Sequence, residues 1–83
     1  MQNQELLQRI SSNPEVLTGK PVIKGTRLAV DFILNLLAHS ASFQEITDEY
    51  EGVTEEDIRA CLLFAAQSLS NATFMPLVAE SAR

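Results

Sequence analysis

The sequence predicts a mainly α domain in which a three-helix core is preceded by a short N-terminal β element. Three observations predict it. Turn signals at Asn13-Pro14, Gly19-Lys20-Pro21 and Lys24-Gly25 crowd residues 9–30 and leave room only for short strands. From Val30 onward the apolar residues recur at helical spacing. Two N-cap patterns, Ser42 with Glu45 and Thr54 with Asp57, then divide the remainder into helices. The 83 residues suffice for one domain. Its expected parts are a turn-rich arm at 9–30, helices at 30–39, 42–51 and 54–70, and a tail at 72–83.

In the arm, short strands are expected near Ile10, at Val22-Ile23 and over Arg27-Leu28-Ala29. Gly25 supplies a residue free to take positive φ between the last two. Pro21 has no amide hydrogen, so its strand lies at an edge or begins there. The helix at 30–39 turns Val30, Ile33, Leu34 and Leu37 to one face, and Phe32 and Leu36 widen that face. Only Asp31, Asn35 and His39 interrupt it. Such a band is wider than a solitary amphipathic helix presents. Either the helix is central to the core or it is shared with a second chain.

The next helix opens on Ser42, with Phe43, Ile46 and Tyr50 at core spacing and Gly52 as its C′ residue. The last opens on Thr54, with Val53 and Ile58 placed to form a hydrophobic staple. Its predicted buried stripe is Ile58, Cys61, Leu62, Ala65 and Leu69, and Asn71 ends it. The tail carries Phe74, Met75, Leu77 and Val78 around Pro76, side chains that cover the chain's own core or meet another protein.

Composition removes several classes. Apolar residues make up 46% and charged residues 20%, a globular balance. No apolar run approaches the roughly 20 residues that span a bilayer, so no membrane contact is expected. The opening Met1-Gln2-Asn3-Gln4-Glu5 lacks the pattern of a secretory signal. One cysteine excludes an internal disulfide, and one histidine beside it is too few for a four-ligand zinc site. A cytoplasmic protein without metal or cofactor is expected. A chain this short buries only roughly 60% of its unfolded surface, so a homodimer is the expected state.

An enzyme is not expected. His39 reads as a helix-end residue, Cys61 as a small core residue, and the acids of 49–57 as a solvated, cap-forming face. The spacing from Gly19 to Gly25 lacks the Gly-Lys-Ser/Thr ending of a phosphate loop. Nucleic-acid binding has mixed support. The net charge is −5, yet residues 1–30 carry four cations against Glu5 and Glu15, whereas residues 31–83 carry two against nine acids. A gripping surface for phosphates would therefore use Lys20, Lys24 and Arg27. The last helix, entering a groove as in a helix-turn-helix, offers Glu55, Glu56 and Asp57 with Arg59 alone in compensation. Protein binding is favoured. Its candidate residues are Lys20, Lys24, Arg27 and Arg59 for a partner or nucleic acid, and Phe32, Leu36, Phe74, Met75, Leu77 and Val78 for a dimer or partner interface.

The run Gly19-Lys20-Pro21-Val22-Ile23-Lys24-Gly25-Thr26-Arg27, with Arg9-Ile10 before it, resembles the bacterial and archaeal family catalogued as domain of unknown function 433. So do Ser42-x-x-Glu45-Ile46, Tyr50 and Thr54-x-x-Asp57-Ile58. The likeness covers residues 9–69. It implies a homeodomain-like three-helix fold behind a small β element. It further implies a VapB-type antitoxin that neutralises a PIN-like ribonuclease by direct contact; the alternative is a small helix-turn-helix-like DNA-binding regulator. Two positions depart from the family pattern: Ser40 stands where Gly is usual and Glu51 where Pro is common. PIN-like nucleases hold metal with clustered acids, which a planar Arg27 fork with Lys20 and Lys24 would suit. A plainer role for Arg27 is a bridge to Asp31 within its own chain.

Overall fold

The computed structural model describes residues 2–12, 15 and 19–70. The elements run α1 (Asn3–Leu7), β1 (Ile10–Ser12), β2 (Pro21–Ile23), α2 (Val30–Ala38), α3 (Phe43–Glu49) and α4 (Glu55–Ser70). The chain is mainly helical, with one two-stranded antiparallel sheet near its N-terminus. The tail residues Phe74, Met75, Leu77 and Val78, and the proposed stop at Asn71, lie outside the described residues.

β1 pairs with β2 so that Ile10 faces Ile23 and Ser12 faces Pro21. Pro21 begins its strand, where its missing donor costs nothing. The expected third strand over 27–29 contracts to a single bridge, Val22 with Ala29. Thr26 explains the contraction. Its hydroxyl donates to the Ile23 carbonyl at 2.8 Å and accepts the Leu28 amide at 3.0 Å, so Leu28 has no amide left for a ladder. Gly25, at φ +85°, closes the tight turn that brings the Thr26 amide to the Ile23 carbonyl.

The core gathers Ile23, Val30, Ile33, Ile46, Val53, Ile58 and Cys61, with Ile33, Ile58 and Cys61 wholly buried. Both capping boxes form. Ser42 Oγ accepts the Glu45 amide while Glu45 Oε1 accepts the Ser42 amide. Thr54 and Asp57 repeat the exchange at the head of α4, and Val53 and Ile58 join in the core as the staple requires.

Three elements differ from expectation. The single-turn α1 adds to the expected elements, because five residues are too few to display a period in the sequence. It packs on α4 and buries Leu6. That contact rotates the buried stripe of α4. Asp57, Ile58, Ala60 and Cys61 are buried and Phe64 packs on the core, whereas the expected stripe members Leu62 and Leu69 stand 42% and 65% exposed. Gly52 is not the C′ residue of α3, which ends at Glu49 with an extended Tyr50 as its cap. Instead Gly52 takes φ +91° inside the turn closed by the Val53 amide on the Tyr50 carbonyl.

The end of α2 is a Schellman motif. The Ser40 amide donates to the Leu37 carbonyl and the Ala41 amide to the Leu36 carbonyl, both at 3.0 Å. Ser40 occupies the left-handed position at φ 77°, the one non-glycine residue with positive φ among those described. A Cβ there costs about 1 kcal/mol. Ser40→Gly is therefore expected to stabilise the domain by about 1 kcal/mol and raise its melting temperature by roughly 4–8 °C in a thermal scan.

Candidate protein-binding groove

The turn after β2 and the first turns of α2 enclose an open groove of about 710 Å³. Leu28, Ala29 and Phe32 supply its apolar lining, and Lys20, Arg27 and Asp31 supply its charges. Lys20 Nζ lies 3.2 Å from Asp31 Oδ2, with both side chains more than half exposed. An ion pair so wet contributes about 1 kcal/mol or less. It does, however, occupy the carboxylate expected to bridge Arg27. Arg27 is exposed and has no ion-pair partner among the described residues. The groove thus presents one free guanidinium beside an aromatic surface.

Phe32 is 38% exposed, and its ring meets Tyr50 edge to face at 5.5 Å and 89°. That pair forms a ridge between the cationic groove and a smaller one of about 200 Å³, lined by Leu36, Ala41, Ile46 and Tyr50 with the carboxylates of Glu45 and Glu49. Of the residues singled out from sequence, Lys20, Arg27 and Phe32 converge on the larger groove, and Leu36 lies across the ridge. Lys24 sits in the turn, exposed and outside the groove lining, with its amide on the Arg9 carbonyl. Arg59 lies apart, on the outer face of α4 that also carries Leu62 and Leu69.

Arg9 and Asp57 form a site that sequence reasoning missed. Arg9 Nη1 donates to Asp57 Oδ1 at 3.1 Å, while Asp57 Oδ2 accepts the Thr54 amide at 3.0 Å. One buried carboxylate therefore caps α4 and ties the end of α1 to it across 48 residues of sequence. The capping pattern identified Asp57. Nothing in the spacing pointed to Arg9.

His39 and Cys61 lie outside the lining of both grooves. His39 Nδ1 is 2.8 Å from the Asn35 carbonyl at the end of α2. The Cys61 thiol is pushed up to about 12, first by burial and then by the Asp57 charge. Among the described residues no three acidic, cysteine or histidine side chains cluster as a metal site would. No helix among them is long and apolar enough to cross a membrane. At pH 8 the thiol should resist iodoacetamide in the folded protein and react once urea unfolds it; labelling at equal rates in both states would contradict its burial. The same shift makes stability fall as pH rises above 9, because the unfolded thiol ionises near 9.0 and the folded one only near 12.

Residues 10–65 match the family model described as protein of unknown function (DUF433). The chain belongs to this family. The crystal structure of a DUF433 member protein from Anabaena variabilis ATCC 29413 shares the fold with a TM-score of 0.72 at 28% sequence identity. The alignment covers 81% of this DUF433 chain and 66% of that protein, so the present chain spans just under two thirds of its relative's length. No functionally curated protein matches the sequence. The family match begins at Ile10, so it includes β1, β2, the groove and the core, and leaves out α1 with Arg9.

Proposed function

We propose that this DUF433 chain is a non-catalytic, cytoplasmic binding protein of the antitoxin kind, which neutralises a PIN-like ribonuclease by direct contact and exists as a homodimer when alone. One observation carries the reading: the unpaired Arg27 guanidinium stands beside the partly exposed Phe32 at an open apolar groove. A guanidinium is a flat, five-donor fork that grips carboxylates in pairs, and an adjacent aromatic face supplies area for desolvation. A nuclease that clusters acids around its metal offers the matching surface.

Co-expression with the product of the adjacent reading frame, followed by co-purification and native mass measurement, tests partner and stoichiometry together. A complex is expected, and Arg27→Ala should weaken it at least about tenfold, as loss of a charge-assisted contact does, while leaving the melting temperature unchanged. Undiminished affinity in a folded Arg27→Ala would remove the role given to this residue.

The alternative is a DNA-binding regulator. Three exposed cations within residues 20–27 favour it, and Glu55 and Glu56 at the head of α4 oppose it. Such a regulator would lose operator affinity steeply with added salt. No DNA complex at low salt would dispose of it.

A further inference from the structure

The two grooves beside α2 carry opposite charge. On the N-terminal side of the Phe32–Tyr50 ridge lie Lys20 and Arg27, the first already held by Asp31. On the other side lie Glu45 and Glu49, the first held by the Ser42 amide. One free cation and one uncommitted carboxylate, Arg27 and Glu49, therefore flank the same ridge. Along α2 they are ordered: the cationic groove adjoins it through Asp31, Phe32 and Asn35, and the acidic groove through Leu36 and, beyond the helix end, Ala41. Phe32 and Leu36, four residues apart, lie between them on one helical face.

A surface with this order is complementary to itself. A two-fold axis lying in the plane of that face, perpendicular to α2 at its middle, turns a second copy face to face with the first, reverses its helix and exchanges its ends. We infer that a second copy of this chain seats its α2 antiparallel across this ridge, setting Arg27 of each protomer against the partner's Glu49 and Phe32 against the partner's Leu36. The interface is isologous, so each charged pair occurs twice and the assembly closes at two copies. It also accounts for the wide apolar band of α2, whose members Phe32 and Leu36 are exposed or only partly buried within one chain. The inference deepens the homodimer in the proposed function and shares Arg27 with it. A second copy and an acidic toxin surface therefore exclude one another at this groove.

Charge reversal distinguishes the readings, because Arg27 and Glu49 are both exposed and neither is part of the core. Sedimentation equilibrium of the full chain should show a reversible dimer. Arg27→Glu and Glu49→Arg should each raise its dissociation constant at least about tenfold, since two like-charged contacts replace two attractive ones. The double variant R27E/E49R should return to within about threefold of the starting value, because both pairs re-form with their signs exchanged. Thermal melts report whether each variant folds. Should a reversal unfold the chain, Arg27→Gln and Glu49→Gln carry the same comparison at smaller amplitude. A monomer at about 1 mM, a dimer indifferent to both reversals, or a double variant no better than the singles would each overturn the inference. Toxin binding follows a different pattern: it should be lost in Arg27→Glu and stay lost in the double variant, so failure of one reading leaves the other standing.

Discussion

Ile58→Ala is expected to destabilise the domain by about 3–4 kcal/mol, measured as a fall in the urea midpoint with an unchanged slope. Ile58 is wholly buried, sits at the fourth position of α4 against Val53, and belongs to the same cluster as Ile33 and Ile46. Removing three carbons there leaves a cavity bounded by α2 and α3, whose mutual packing limits collapse. A domain of this size has a total stability of about 4–12 kcal/mol, so the variant should lie close to its folding limit. Leu62→Ala is the control. Although its chemistry is nearly the same, its side chain is 42% exposed and the loss should stay below about 1 kcal/mol. Equal losses at the two positions would contradict the rotated face of α4.

Asp57→Ala should cost about 2–3 kcal/mol. Loss of the N-cap exchange with Thr54 contributes about 1 kcal/mol. The remainder comes from the Arg9 contact, for which the Asp57 side chain is 9% exposed and the Arg9 side chain 35%. That partial exposure keeps the pair below the 3–5 kcal/mol typical of breaking a fully buried one. Arg9→Met keeps the apolar stem and removes only the charge, so it should cost about 1 kcal/mol, and Asp57→Ala combined with Arg9→Met should fall short of the sum of the two. Denaturation of the four proteins measures this coupling. Strict additivity would show that the ion pair does not secure α1 to α4.

The parts of the fold set by local chemistry were readable from the residues. Ser42 with Glu45 and Thr54 with Asp57 announced two helix starts, and Gly25 announced the turn after β2, because each acts on backbone within four residues of itself. The likeness of the Gly19–Arg27 run to its family was readable too, since turn residues at fixed offsets leave a specific pattern. Features created by distant packing were not legible. α1 is too short for periodicity, and its dependence on Arg9 and Asp57 spans 48 positions. The buried face of α4 is set by its packing on α1 as well as on α2 and α3, so the local apolar spacing puts Leu62 and Leu69 on a face that the fold leaves exposed. Arg27 illustrates the same limit within the groove. Sequence brought Asp31 within four residues of it, yet Lys20, eleven residues from Asp31, reaches that carboxylate instead. The consequence is that the Arg27 guanidinium stays open at the groove.

One physical account links these findings. The buried cluster draws on only part of each helix, and α2 retains Phe32, Leu36 and Leu37 at or near the surface. Opposite charges then border that apolar strip. The proposed dimer and toxin contacts are two uses of such a strip.

Amide hydrogen exchange across residues 27–36, compared for the free chain diluted below its dimer dissociation constant and for the chain mixed with the adjacent gene's product, tests this account most directly. Slower exchange confined to that segment and to residues 45–50 at the end of α3 in the mixture is the predicted result. Unchanged exchange there, with new protection only on the outer face of α4, would contradict it.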